Sequence, residues 1–421
     1  MAKWRARGGG ADAGTSRRAP DSNRMESRMS QEPVIIVDGA RTPMGALLGS
    51  LSSVPATALA STAAREALKR SAIDGAEVDE VFMGCVLPAG LKQCPARQAA
   101  IGAEIPAATG AVTVNKACGS GMQATIFGYD SIVAGTNRIV LTGGMESMSN
   151  APHLLPGARA GIRLGAATLY DHMLMDGLED AYSGRAMGSF AQETADQRGL
   201  TREAMDAFAI ESLQRARSAI DDGSLQAETA AVTVRGRKGE TLVEADEQPH
   251  KAAVDKIPGL RPAFREDGTI TAANASSISD GASALVLMSG SEAERRGLAG
   301  MATLVAHARH SREPAEFTLA PIGAIGKLLD KTGWSADDVD LFEINEAFAM
   351  VTMLAMQDLG LSHERVNIHG GACAQGHPIG STGSRIIVSL LYALRKTGGR
   401  RGVAALCIGG GEATAVAVEL H

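Results

Sequence analysis

Apolar, β-branched runs alternate along the chain with segments whose apolar positions recur at helical spacing. The strand-like runs include VIIVDGAR, VDEVFMG and RIVLTGG, and the helix-like segments include AREALKRSAI and the residues that follow Cys118. Alternation between these two periods is typical of α/β proteins with a largely parallel sheet. We therefore predict an α/β fold.

The same order of elements occurs twice. Residues 77–87 (EVDEVFMGCVL) resemble residues 337–347 (DDVDLFEINEA), and residues 118–146 resemble residues 380–412. Each copy of the second pair has a Gly/Ser loop, an apolar helix, a polar turn, a buried strand and a glycine turn ending in glutamate. This order predicts a duplicated chain. A chance likeness between two βαβ units is the alternative.

The segment between the two copies differs from them in amino-acid composition. Residues 151–271 are rich in Met, Gly and charge, and carry a predicted helix from about Thr201 to Ala219. We interpret this segment as an inserted loop domain that binds substrate or acts as a lid. Residues 272–298, with the strand Ala284 to Met288, are predicted to complete a first half formed by residues 33–150. Residues 299–421 form the second half.

Residues 1–32 do not fit either half. They are rich in Arg, Gly and Ser, which is a composition found in mitochondrial presequences, but a Gly-Gly-Gly run and Asp12 oppose an amphipathic helix. We predict a disordered N-terminal extension.

The bulk composition excludes several classes of function. The 421 residues are 45% hydrophobic, which provides a large core, and no apolar run approaches the eighteen or so residues of a membrane helix. A net charge of −6 with 3% aromatic residues argues against nucleic-acid binding. Five cysteines without a signal-peptide pattern predict reduced thiols and a cytoplasmic location.

Cys118 is the first candidate for chemistry. It lies in VNKACGSGMQA, where a predicted strand gives way to a helix beginning near Gly119 or Ser120. The amides and dipole of a helix N-terminus stabilise a thiolate, so we expect a lowered pKa and a nucleophilic role for Cys118. A cysteine that only fills the core is the alternative.

A histidine that could activate this thiol lies at the corresponding place in the second half. His377, in GGACAQGHPIGSTG, occupies the position that Cys118 has in the first half, and Cys–His pairing is an established way to activate sulfur. A structural loop histidine is the alternative. A metal stripe of His369, Cys373 and His377 is disfavoured because the glycines and Pro378 oppose a helix there.

Two further groups end strands of the second half. Cys407 precedes three glycines in ALCIGGGEA, whose amides could face a developing oxyanion. Asn345 ends the strand of EINEAFA. Taken alone, a buried core cysteine and a structural turn asparagine explain these two residues as well. The sequence contains no G-x-S-x-G elbow and no Walker phosphate loop.

The motifs NKACGSGM, NEAFA, GGACAQGHPIGSTGSR and CIGGGEA together resemble those of thiolases, with a likeness that runs from about Val34 to Leu420. Further matches are GARTPMG, ARQAA, GGMESMSNAP and NASSISDGA. The pattern is most similar to the acetyl-CoA C-acetyltransferase branch. The resemblance implies two duplicated α/β halves in five layers with an inserted loop domain, assembled as a homodimer or homotetramer.

The resemblance also implies a role for each candidate residue. Cys118 would be the nucleophile that takes the acyl group, His377 its activating base, and Cys407 the acid/base acting on the α-carbon of incoming acetyl-CoA. Asn345 would hold a water in one oxyanion hole with His377 as the other donor. The amides of Cys118 and Gly409 would form the second hole.

Coenzyme A contacts are implied for Ser276 and Ala272, and contacts near the acyl end for Met187 and Phe348. Where short-chain thiolases usually have His-Met-Gly, this chain has Ala186-Met187-Gly188. A polar group near the thioester is therefore missing. Gln375 and Glu412 also differ from the small or apolar residues commoner in the family.

We therefore expect an acetyl-CoA C-acetyltransferase that condenses two acetyl-CoA molecules and runs the reverse thiolysis. Acyl-CoA thioesters are its substrates, and no other cofactor, nucleic acid or membrane partner is expected. A 3-ketoacyl-CoA thiolase for longer chains is the first alternative. An inactive acyl-CoA-binding relative is the second.

Overall fold

The computed structural model describes residues 32–237 and 239–421, so the predicted extension lies almost wholly outside the described residues. The strands are β1 (Val34–Arg41), β2 (Gly45–Ala46), β3 (Glu80–Gly84), β4 (Gly110–Val114), β5 (Ile139–Ser147), β6 (His153–Leu154), β7 (Tyr170–Asp171), β8 (Val232–Gly236), β9 (Gly239–Val243), β10 (Ser279–Ser289), β11 (Ala302–Ser311), β12 (Leu341–Ile344), β13 (Arg401–Ile408) and β14 (Glu412–Leu420).

The α-helices are α1 (Ala56–Ser71), α2 (Pro95–Gly102), α3 (Ser120–Val133), α4 (Met187–Gln197), α5 (Arg202–Asp221), α6 (Ser224–Glu228), α7 (Gln248–Lys251), α8 (Gly290–Arg296), α9 (Ala320–Thr332), α10 (Ala349–Leu359), α11 (Ala372–Gln375) and α12 (Thr382–Thr397). In the described part of the chain, none of the helices has the length and apolar character needed to cross a membrane.

A ten-stranded sheet contains the same strand pattern twice. Its order is β12-β13-β14-β11-β1-β10-β5-β3-β4, with β2 paired to β10. In the first half β3 runs parallel to β5, β5 antiparallel to β10, and β10 antiparallel to β1. In the second half β12, β13, β14 and β11 repeat these directions. The α/β prediction is confirmed.

The expectation of a largely parallel sheet was wrong. Two strands of each half, β10 and β1 in the first and β14 and β11 in the second, are antiparallel to their neighbours. In the second half, the connection between β13 and β14 is a tight glycine turn rather than a helical crossover, and such a turn reverses the chain. The sequence patterns alone do not reveal this, because a strand buried on both faces is apolar in either direction.

Helices α3 and α12 form a contact between the halves, in addition to the pairing of β1 with β11. Both helices are buried along most of their length, and their apolar side chains share one core cluster with β10, β13 and β14. Their first turns approach at backbone distance: a Cβ on Gly383 would lie 2.4 Å from the nitrogen of Met122, and one on Gly121 would lie 2.8 Å from the nitrogen of Ser384. Only glycine permits this approach.

A second backbone contact lies beside the first. Gly380, in the loop before α12, fits between the ends of β3 and β5. A Cβ on Gly144 would lie 2.1 Å from the carbonyl oxygen of Gly380, and one on Gly84 would lie 2.6 Å from it. The loop that carries His377 is thereby fixed against the first half.

Buried charges attach the segment between the halves to β1. Arg41 is fully buried, and its guanidinium donates to both carboxylate oxygens of Asp246 at 2.6 and 2.8 Å and to Glu228 at the end of α6. These carboxylates keep the pKa of Arg41 above its ordinary value despite burial. Removing one partner of an ion pair buried in this way strongly destabilises the fold, because the other charge is left buried without a partner.

The local expectations for this segment hold closely. The helix predicted from Thr201 to Ala219 is observed as α5, and the hydroxyl of Thr201 caps its N-terminus by accepting from the nitrogen of Ala204. Strands β8 and β9, which contain the two ends of the predicted polar turn RGRKGE, pair antiparallel.

Substitution of Gly144 by alanine tests the backbone contact. The added methyl group cannot fit beside the oxygen of Gly380, so we expect a loss of about 1–3 kcal/mol in the free energy of unfolding, as for overpacked cores. Denaturant unfolding measures this loss. Gly326, within α9, has open space where its Cβ would be, and its replacement by alanine should stabilise by about 0.5–1 kcal/mol. Equal effects at both positions would contradict the contact.

Candidate active site

Cys118 lies in a strained turn between β4 and α3. The preceding residue, Ala117, has a φ of 42°, in the left-handed region that non-glycine residues rarely adopt. The turn is held by the Ser120 hydroxyl, which accepts from the nitrogen of Lys116 at 2.8 Å and donates to the oxygen of Ala117 at 2.7 Å. As predicted, the helix begins at Ser120. Strain maintained by such contacts is typical of functional sites.

The second sulfur lies next to the first. Cys407, fully buried near the end of β13, is close enough to Cys118 for a charge on one sulfur to raise the pKa of the other. The amide of Gly409, in the following turn, lies close enough to the sulfur of Cys118 to oppose the rise of its pKa. Gly410 and Gly411 both have a φ of 89°, which lets the chain reverse directly behind this amide. The structure thus brings Cys118, Cys407 and Gly409 together.

Burial, rather than the helix N-terminus, decides the acidity of Cys118. It raises the pKa of the thiol to about 11, although the amides of Gly409 and of Cys118 itself act in the opposite direction. The expectation of a lowered pKa was therefore wrong for the unliganded protein. A thiolate removed from water loses more solvation energy than two amide donors return.

The hydrogen bonds around His377 define its tautomer. Its Nδ1 lies 2.6 Å from the hydroxyl of Thr382, and that hydroxyl donates to the oxygen of Pro378 at 3.0 Å. Nδ1 must therefore carry the proton, which leaves Nε2 as a free acceptor. Burial lowers the pKa of His377 to about 3, so the imidazole is neutral. A neutral ring with a free nitrogen is suited to accept a proton.

The segment before His377 is more ordered than expected. Despite its glycines, residues Ala372–Gln375 form the short helix α11. Glu346 fixes this helix, because its carboxylate accepts from the nitrogen of Cys373 at 3.1 Å and from the hydroxyl of Ser212 in α5 at 2.8 Å. Among the described residues, no group of three or more His, Cys, Asp or Glu side chains could hold a metal ion.

Unpartnered polar atoms mark the centre of the site. Within the described parts of the chain, Asn345 is 1% exposed and neither atom of its amide has a hydrogen-bond partner, and the same holds for Nε2 of His377. Buried polar groups normally have partners, so such orphaned atoms indicate a place for water or substrate. The backbone nitrogen of Asn345 is bonded to Ala405 in β13, which fixes the residue against the strand that carries Cys407.

The predicted coenzyme A residues border these groups. Residues 274–277 connect the loop after β12 to the loop that carries His377. The nitrogen of Ser276 donates to the oxygen of Ala347, and the nitrogen of His377 donates to the oxygen of Ser277, both at 3.0 Å. Phe348 and Met187 pack in one cluster with Cys407. Ala272 lines a separate cavity of about 280 Å³, together with Ser277, Cys373 and Lys256.

Four side chains in or beside the site were not assigned a role from the sequence. Thr382 orients the histidine, Glu146 accepts from backbone amides of both halves, and Lys116 forms an ion pair with Glu412 between the nucleophile turn and the glycine turn. Of these side chains, only Glu146 and Glu412 stood out in the sequence, because they end the two glycine turns of the repeat.

Comparisons with known proteins agree with this geometry. The family model for the thiolase N-terminal domain matches residues 34–291, and that for the thiolase C-terminal domain matches residues 298–420. Acetyl-CoA acetyltransferase 2 of Arabidopsis thaliana is 48% identical over 92% of this chain and 97% of its own. The cytosolic acetyl-CoA acetyltransferase of Mus musculus is 46% identical over 92% and 98%.

A solved structure extends the likeness to three dimensions. The crystal structure of the Acat5 thiolase from Ascaris suum in complex with coenzyme A has a TM-score of 0.88 and 40% identity, covering 93% of this chain and 100% of that one. Together with the two family models, which span nearly the whole described chain, this confirms both the predicted fold class and the resemblance noted in the motifs. The chain belongs to the thiolase family.

Proposed function

We propose that this protein is an acetyl-CoA C-acetyltransferase, which condenses two acetyl-CoA molecules to acetoacetyl-CoA and catalyses the reverse thiolysis. The observation that carries the proposal is the meeting of two sulfurs, the partly buried Cys118 and the fully buried Cys407, at the amide of Gly409. Relatives with 44–48% identity bear the name acetyl-CoA acetyltransferase, which supports the choice of acetyl-CoA as substrate.

Acyl transfer to Cys118 is the first step. The sulfur of Cys118 attacks the thioester carbon while its proton passes to Nε2 of His377. The carbon–sulfur bond to coenzyme A then breaks, and the departing thiolate takes a proton from Cys407. The amides of Cys118 and Gly409 donate to the oxyanion that forms, and each such donor contributes about 10²–10³ in rate.

Condensation is the second step. The Cys407 thiolate removes a proton from the α-carbon of a second acetyl-CoA, and the resulting carbanion attacks the acetyl group on Cys118. The released Cys118 sulfur recovers its proton from His377. A water held by Asn345, together with His377, stabilises the enolate. Because the acyl group is covalently held, the attack is effectively intramolecular.

The substrate's coenzyme A portion binds along residues 272–277. Support comes from the cavity beside Ala272, whose lining includes Lys256, a cation suited to a phosphate group, and from the contact of Ser276 with the strand end near Phe348. Phe348 and Met187 close the acyl end around Cys407. The loop-domain boundaries at residues 151–271, and the completion of the first half by residues 272–298, belong to this proposal.

The proposal includes a homodimer or homotetramer located in the cytoplasm. Strand β4 ends the sheet order, and an edge strand offers unpaired backbone groups to a second copy. Val112 on β4 and Phe127 on α3 are 42% and 40% exposed, which gives this edge apolar surface. The location rests on free cysteines and on the cytosolic mouse relative.

The pH dependence of Cys118 alkylation tests the neutral thiol–imidazole pair. Because the pKa of Cys118 is about 11 and that of His377 about 3, neither group titrates near neutrality. We expect the rate with iodoacetamide to be nearly constant from about pH 8 to about pH 9.5, because proton transfer to His377 carries the reaction. His377→Ala should be slower and rise about tenfold per pH unit. A sigmoid midpoint between these pH values in the unmodified protein would contradict the pair.

Replacing the second sulfur separates the two steps. Cys407→Ala should still become acetylated on Cys118 after brief exposure to acetyl-CoA, but its condensation rate should fall by about 10²–10⁴, the range for a lost acid/base group. Intact-protein mass spectrometry detects the acetyl group. The exposed Cys94, replaced by alanine, is the matched control and should retain the full rate. Acetylation of Cys118→Ser, or normal condensation by Cys407→Ala, would refute the assignment.

Chain-length preference tests the substrate. Thiolysis of acetoacetyl-CoA should exceed that of β-ketohexanoyl-CoA and β-ketooctanoyl-CoA in kcat/KM by about 10-fold or more, since bulky Met187 and Phe348 leave little room beyond the acetyl group. Steady-state kinetics with the three substrates measures the ratio. A preference for the longer substrates would favour a 3-ketoacyl-CoA thiolase, and no turnover of any of them would favour an inactive relative.

A further inference from the structure

Glu146 is a buried carboxylate to which the mechanism gives no task. It lies near the end of β5 and is 0% exposed. Its oxygens accept from the backbone nitrogens of Val86 at 2.9 Å, Leu87 at 3.2 Å and Gly380 at 3.0 Å, and from the thiol of Cys85 at 3.6 Å. A carboxylate that satisfies amides of three separate segments fixes their relative positions.

The segments that Glu146 joins are those that surround Cys118. Gly380 follows His377 by two residues of intervening chain, in the same loop. Val86 and Leu87 belong to an apolar cluster that includes Ile379, and Cys118 packs against this cluster. One side chain therefore connects the loop of the base to the wall of the nucleophile.

We propose that Glu146 is a positioning residue that sets the distance between His377 and Cys118 by holding the loop at Gly380. This inference rests on the proposed function, since it assigns Glu146 to the same reaction. Other hydrogen bonds also hold this loop: the nitrogen of His377 donates to Ser277, its Nδ1 contacts Thr382, and the hydroxyls of Ser381 and Ser283 in β10 contact each other. The Gly380 contact differs from these because it is made to Glu146, whose carboxylate also accepts from Val86 and Leu87 beside the nucleophile.

An ionised carboxylate is suited to this task, and its amide analogue is not. All the partners named above are donors, so each oxygen of Glu146 serves only as an acceptor. Burial raises the pKa of Glu146 to about 7, and the donated hydrogen bonds act against this rise. In glutamine, one oxygen becomes an NH₂ group that would face other N–H groups and leave at least one of them without an acceptor.

The variant Glu146→Gln is the test, measured by the rate of Cys118 alkylation at about pH 8.5, where Glu146 is ionised, and by acetoacetyl-CoA thiolysis. A loop displaced by a fraction of an ångström should lower both the His377-dependent alkylation rate and kcat by about 10- to 100-fold. KM should change by less than about threefold, because the coenzyme A contacts lie elsewhere. Glu146→Asp, which keeps the charge but shortens the reach to Gly380, should show an intermediate loss and also serves if the glutamine variant does not fold.

A double-mutant cycle separates positioning from a general loss of structure. If Glu146 acts through His377, adding Glu146→Gln to His377→Ala should change the alkylation rate by less than about twofold. Glu228→Gln is the matched control: it also removes a fully buried carboxylate, but one that contacts Arg41 and Ser389. This control should lower thermal stability and leave the alkylation rate unchanged.

The outcomes are distinguishable. Equal effects of Glu146→Gln with and without His377, effects equal to those of Glu228→Gln, or unchanged alkylation and kcat would each overturn the positioning role. Absence of thiolysis by the unmodified protein would instead overturn the proposed function, while the alkylation cycle would still report on Glu146.

Discussion

The site exists because two halves of one chain approach each other at backbone distance. Gly380 lies between Gly84 and Gly144, and beside it Gly121 and Gly383 let the first turns of α3 and α12 meet. Side chains at these places would separate the halves by more than an ångström. Neither half holds the proposed site alone, since the first supplies Cys118 and the second supplies His377 and Cys407. Glycine is therefore as much a determinant of the site as the sulfurs are.

The second constraint is the exclusion of water from the candidate active site. Burial raises the pKa of Cys118 and lowers that of His377, so the resting pair is a neutral thiol and a neutral imidazole rather than an ion pair. Such a pair holds no exposed thiolate that could react with cellular electrophiles or oxidants. In the proposed mechanism, charge forms only when a substrate places its carbonyl oxygen near the amides of Cys118 and Gly409, where preorganised donors are strongest because water is excluded.

Much of this could be predicted from the sequence, because the chemistry lies in short motifs that glycines make conspicuous. Cys118, His377, Cys407 and Gly409 all stand out by their motifs, and the repeat indicated that the first two would face each other. The acidity of Cys118 could not be predicted in sign. It depends on how completely the glycine turn covers the thiol, and a local motif carries no information on solvent access. The antiparallel strands were missed because a strand that is buried on both faces is apolar in either direction.

The supporting residues were hidden by sequence distance. Glu146 and Gly380 are 234 residues apart, so the local sequence around either residue does not indicate their contact. Thr382 is nearer to its partner, but a threonine in a first helical turn has many ordinary explanations. Residues that perform chemistry could be recognised from their type and setting, whereas residues that position them became visible only through the fold.

The burial of Arg41 has a consequence for how substrates reach the sulfurs. Its guanidinium attaches the inserted segment to β1 through Asp246 and Glu228, all removed from solvent. To swing this segment away as a rigid flap, the protein would have to hydrate a cation and two anions at once, with no new partner for any of them. Rigid opening of the whole segment is therefore a costly route for the long pantetheine arm. Local motion is then confined to those parts of the segment that no buried charge restrains.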